Sequence, residues 1–110
     1  MAIVVVPTEG FIKDLKQISK KHKGILLDIG KLSIELKLNP TKGSDLGKNV
    51  YKIRIWISGT NKGKSGGARV ITYVVLIKEI VYLSEIYLKN EHDSVDADLV
   101  IKRLKDGGLI

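Results

Sequence analysis

The sequence predicts an α+β domain, in which an N-terminal helical hairpin packs on a mostly antiparallel β-sheet and a C-terminal helix ends the chain. Three observations carry this expectation. Apolar residues recur at helical spacing through residues 8–38. They switch to alternation in residues 51–57, 68–77 and 80–88. The last stretch is acidic where it begins and basic where it ends, the charge order a helix dipole favours.

The elements follow in order. Ala2-Ile3-Val4-Val5-Val6 reads as a short strand that stops at Pro7, too short for a signal peptide or a membrane span. Thr8 is placed to cap a helix on which Phe11, Leu15 and Ile18 form the apolar stripe, while Lys13, Lys16, Lys20 and Lys21 face outward. Gly24 breaks that helix. Ile25, Ile29, Leu32 and Leu36 then repeat at i, i+4, i+7 and i+11, so a second helix folds back on the first and both stripes need a sheet to cover. Asn39-Pro40-Thr41-Lys42-Gly43 opens a loop that runs to about Asn49.

Strand character begins next. Tyr51, Ile53, Ile55 and Ile57 make one face of the first long strand, and Lys52, Arg54 and Trp56 the other. In residues 68–77, Val70, Thr72 and Val74 oppose Arg69, Ile71, Tyr73 and Val75. A tight connection at Lys78-Glu79 leads into Ile80 to Leu88, whose odd positions include Glu85 and Tyr87, followed by Lys89. Ser94 or Asp93 can cap the final helix. Asp96 and Asp98 sit in its first turn, Lys102, Arg103 and Lys105 in its last, and Gly107-Gly108 closes it.

The 110 residues make one domain with enough chain for a single core. The absence of cysteine excludes a disulfide scaffold, a thiolate metal site and a thiol nucleophile. A cytosolic protein is expected. The net charge of +7 is concentrated: between Lys37 and Arg69 stand eight basic residues and one acidic, Asp45, while the rest of the chain cancels. Such a cluster suits a polyanionic partner, nucleic acid first and anionic membrane second. A merely solubilising surface is the plainer alternative.

The segment SGTNKGKSGGARVI, residues 58–71, approaches the phosphate loop G-x-x-x-x-G-K-[ST]. Gly63-Lys64-Ser65 supply its end, but Ser58 stands where the first glycine belongs. A phosphate loop must also open a helix. Here Gly66-Gly67 runs into β-branched, alternating residues, so the segment reads as a basic hairpin loop and no nucleotide cofactor is expected.

LNPTKG (38–43), YKIRI (51–55), KGKSGGARVI (62–71) and EIYLKNEHD (85–93), in that order, resemble the RelE superfamily of toxins from bacterial toxin–antitoxin modules, with the HigB-like branch most similar. The resemblance covers nearly the whole chain. It implies a ribosome-dependent endoribonuclease that cuts messenger RNA in the A site, using the RNA 2′-hydroxyl as nucleophile and no metal. It also implies a cognate antitoxin, expected to be a helix-turn-helix protein, and the ribosome as partner; no membrane partner is expected. The ParE branch, which shares the fold and inhibits DNA gyrase without cutting RNA, is the alternative, as is an RNA-binding member whose site is degenerate.

Attack of a 2′-hydroxyl on phosphorus needs a proton acceptor, charge stabilisation for the phosphorane and a proton donor for the leaving oxygen. Arginine supplies the second bidentately. Arg54 and Arg69 match the family's arginines, and the strand pattern puts both on one face, with Arg69 beside open space. Lys52 shares that face and can add charge or, with its pKa lowered, act as a base. Tyr87 and Lys89 match family positions: Tyr87 can stack a base and Lys89 can contact phosphate. Glu91 or His92 can transfer protons, and His92 can otherwise contact RNA. Lys48, Lys62 and Lys64 are placed to hold RNA backbone. Trp56 can stack on an exposed base or pack under the last helix. Glu91, Asp93, Asp96 and Asp98 suggest a metal site superficially, but helix capping explains them and no metal is expected.

Overall fold

The computed structural model of the chain describes residues 2–59, 67–91 and 94–110. Its elements are β1 (Val4–Pro7), α1 (Glu9–Lys21), α2 (Ile25–Leu38), β2 (Ser44–Asp45), β3 (Val50–Ile55), β4 (Ala68–Val75), β5 (Ile80–Leu88) and α3 (Ala97–Asp106). The strands form one sheet in the order β1-β5-β4-β3-β2. β1 runs parallel to β5, and the remaining pairs are antiparallel. The architecture is α+β, as the alternation and helical spacing predict.

Each face of the sheet is covered for a readable reason. Phe11 and Ile18 of α1, with Ile25, Ile29, Leu32 and Leu36 of α2, are buried against Ile53, Ile55, Val70, Val74, Val81, Leu83 and Ile86. α3 covers part of the opposite face, where Val100 and Leu104 meet Val50, Ile71, Tyr82 and Tyr87. Thr8 caps α1: its Oγ1 accepts from the Phe11 amide at 3.1 Å and donates to the Ser84 carbonyl at 3.2 Å, tying the helix to β5.

Four local expectations change. The loop before β3 contains a two-residue strand, β2, paired with Tyr51 and Lys52; two residues are too few to show a period. β3 ends at Ile55, although Ile57 stays buried in the core. β4 ends at Val75 and gives way to a 3₁₀ turn, Leu76–Lys78, closed by Glu79 at φ 58°. The cap of α3 is Asp96, which accepts from the Asp98 amide at 2.9 Å; Ser94 lies upstream of it, and Asp93 lies outside the described residues.

One irregularity decides which side chains share a face. Ile71 pairs with Glu85 but Thr72 pairs with Leu83, so Ser84 is the extra residue of a β-bulge. The bulge inverts the alternation of β5. Ile80 and Tyr82 before it, and Glu85 and Tyr87 after it, all lie on the α3 side.

Candidate nucleic-acid interface

The site is a product of strand register. Arg54 pairs with Arg69 across β3 and β4, and Arg69 pairs with Tyr87 across β4 and β5. These three therefore form one row on one face. The next row inward is Lys52, Ile71 and Glu85. Directly opposed side chains stand about 5 Å apart at Cβ, close enough for two guanidinium groups to address one phosphate.

Burial grades the row. Arg69 is 3% exposed and Tyr87 5%, so they form its floor. Arg54 is exposed and Lys52 half-buried, so they form its rim. Arg69 Nη1 donates to the Ala68 carbonyl at 3.1 Å. The expectation of open space beside Arg69 is thus corrected: its side chain is buried on an interior strand of the sheet. Trp56 is 61% exposed two residues beyond Arg54, which decides against packing under α3.

The row lies at the end of the sheet from which the glycine segment emerges. Gly67 has φ 59°, and a Cβ there would stand 2.1 Å from the Ile55 carbonyl oxygen. Only glycine lets β3 and β4 approach so closely at that point. Ala68, the next residue, begins a strand, so no helix follows for a phosphate loop to use. Ser58, standing where such a loop needs glycine, is held by α2: its amide donates to Asp28 Oδ2 at 2.8 Å and its hydroxyl to Asp28 Oδ1. The Lys89 amide donates to the Gly67 carbonyl at 3.0 Å, which brings the exposed Lys89 side chain to the same end. Glu91 is exposed in the following turn, where its Oε1 accepts from the Leu88 amide at 3.3 Å.

Three predicted contacts, Lys62, Lys64 and His92, lie outside the described residues. Lys48 is not brought to the row. It stands at the opposite end of β3, hydrogen-bonded and ion-paired to Asp98 of α3. The hydrogen bond to the Asp98 carboxylate, and then its charge, raise the lysine pKa from its ordinary value. Asp96 and Asp98 are accordingly accounted for by capping and pairing; among the described residues no group of three metal-ligating side chains is assembled.

Sequence reasoning missed the frame behind the row. Glu85 accepts from Arg103 Nη1 at 2.7 Å, so α3 is pinned to the sheet beside Tyr87. Glu85 stands two residues before Tyr87, which was a signal for the shared face. Nothing in the spacing of α3 marks Arg103 as its partner.

No described helix is long and apolar enough to cross a membrane. No protein-family model matches the sequence. Among solved structures the chain is similar to the free-state E. coli toxin RelE, solved as a double arginine-to-alanine mutant. The two share 18% identity and superpose with a TM-score of 0.62, covering 94% of this chain and 99% of that one. The helical hairpin, mixed sheet and C-terminal helix of this chain thus have the fold of the RelE toxin.

Proposed function

We propose that this single domain is the toxin of a toxin–antitoxin module and an endoribonuclease that cleaves messenger RNA in the ribosomal A site. The observation that carries the reading is the Arg54–Arg69–Tyr87 row at one end of the sheet, flanked by Lys52, Lys89 and an exposed Trp56. Two opposed arginines can address one phosphodiester together, and the phosphorane formed when a 2′-hydroxyl attacks it carries more charge still.

In the proposed step the 2′-oxygen loses its proton, bonds to phosphorus and displaces the 5′-oxygen, which takes up a proton. The products are a 2′,3′-cyclic phosphate and a 5′-hydroxyl. Arg54 and Arg69 stabilise the phosphorane, Tyr87 and Trp56 position bases, and Lys52 and Lys89 add charge or exchange protons. Glu91 lies at the same end of the sheet and can take part in proton transfer. Neutralisation falls to a cognate antitoxin, and the site of action is cytoplasmic.

A second reading, RNA binding without cleavage, is favoured by the burial of Arg69, which restricts its direct access to substrate. Primer extension on messenger RNA in a translating extract separates the two. New 5′ ends within A-site codons, lost with Arg54→Ala, support the nuclease; ribosome binding without new ends supports the second reading.

A further inference from the structure

Helix α2 has two apolar faces, and the core uses one of them. Ile25, Ile29, Leu32 and Leu36 are buried against the sheet. On the other side Leu27, Ile34 and Leu38 are 60%, 65% and 86% exposed, and Leu26 at its margin is 55% exposed. Their spacing of i, i+7 and i+11 keeps the first three on one stripe, directly opposite the buried one. The neighbouring helix α1 behaves otherwise: its exposed side carries Lys13, Asp14, Lys16, Gln17 and Lys20, interrupted only by Ile12. A contiguous apolar stripe on an otherwise basic molecule marks an interaction surface.

The stripe has a shape and a charge. Gly30 lies between Leu27 and Ile34, with nothing within 4 Å of the position its Cβ would take. That leaves a notch into which a large side chain from outside can enter. Lys31 borders the stripe on one flank and Lys37 on the other, both exposed. Glu35, the one acidic residue nearby on the exposed side, is paired with Lys42 at 3.0 Å. We infer that this face docks an amphipathic helix of a second protein, one whose apolar stripe is bordered by aspartate and glutamate. A second copy of this chain fits poorly, because each copy carries +7 and would bring its own Lys31 and Lys37 to the seam.

The sheet lies between this stripe and the arginine row, so the docked helix leaves the row uncovered. The inference therefore does not depend on RNA cleavage: peptide binding and primer extension can fail separately.

The test uses the full chain and a fluorescein-labelled synthetic helical peptide with a leucine stripe bordered by glutamates, read by anisotropy. A counterpart with lysines in place of the glutamates is the control. The expected result is binding of the acidic peptide at least about tenfold tighter than of the basic one. Ile34→Asp combined with Leu38→Asp should remove that binding, since both residues are exposed and the change leaves the core intact. Lys31→Glu with Lys37→Glu should reverse the peptide preference, and Arg54→Ala should change neither affinity. Amide shifts on titration should map to α2. Binding that survives the α2 substitutions and falls with Arg54→Ala would reassign it to bulk charge on the other face. A dimer in sedimentation that Ile34→Asp dissolves would make a second copy the occupant. Either outcome overturns the inference.

Discussion

Arg54 and Arg69 are opposed in register but differ in burial, and that difference sets what each substitution reports. Arg54 is exposed, so Arg54→Ala should leave the melting temperature unchanged and lower cleavage by about a hundred- to a thousandfold, the usual loss for one preorganised donor to a developing anion. Arg69 is 3% exposed and bonds to the Ala68 carbonyl. Arg69→Ala should therefore lose cleavage by a similar factor and also melt lower, while Arg69→Lys restores only part of the rate because a point charge cannot replace a planar fork. An unaltered rate in Arg54→Ala, in an extract where the parent cuts, would place the chemistry elsewhere. Lys48 makes a different prediction. Its pKa is raised by Asp98, so its contribution to stability is fully present below the ordinary value of 10.5 and disappears as pH rises through the raised folded value. Melting curves of the parent and Lys48→Gln should differ at neutral pH and low salt and converge in strong alkali; a constant gap would show that the pair is not the cause.

The ends of the glycine segment are fixed by two unlike devices, and only one was legible beforehand. Gly67 announces itself in the sequence, since a glycine pair before an alternating strand asks for a backbone that other residues resist. Its partner device is Asp28, whose carboxylate takes both the amide and the hydroxyl of Ser58 while Gly24 leaves room, a Cβ there standing 2.0 Å from the Ser58 carbonyl oxygen. Asp28 carries no such signal in the sequence, because a contact across thirty positions leaves no local trace. The same reason hid β2 and the bulge at Ser84: register is a tertiary property, and two residues or one insertion make no period. What the sequence did carry was the helical hairpin, the three long strands and the pairing of faces that puts Arg54 with Arg69, since each rests on repeated spacing. Asp28→Ala should leave the Ser58 donors without their partner and cost about 1–3 kcal/mol of unfolding free energy. Asp28→Asn, which keeps one acceptor, should lie between. Denaturant titration measures the first, and hydrogen exchange at the Ser58 amide should accelerate with it; stability equal to the parent's in both variants would show the latch to be idle.

At the scale of the molecule, the surplus charge and the arginines of the row belong to the same stretch of the chain. The basic stretch from Lys37 to Arg69 holds eight cations against one anion, and it includes β3 with Lys52 and Arg54 and the start of β4 with Arg69. A ribosome and a gyrase–DNA complex are both polyanionic, so charge alone does not choose between RNA cleavage and a ParE-like action. The proposed choice of RNA cleavage rests on the ordered row. Gyrase inhibition without cleavage needs only a binding face, whereas two arginines opposed beside a tyrosine are an arrangement that suits a phosphodiester. Induced expression in bacteria should therefore arrest growth through translation. Amino-acid incorporation should fall within minutes, while supercoiling of a reporter plasmid stays normal. Binding to ribosomes should weaken steeply with added salt, because many lysines release counterions together, and should change little in Arg54→Ala, because no single contact dominates. Growth arrest should nevertheless vanish in that variant, separating occupancy from chemistry. Relaxed plasmid appearing before any fall in incorporation would transfer the assignment to a gyrase inhibitor built on the same fold.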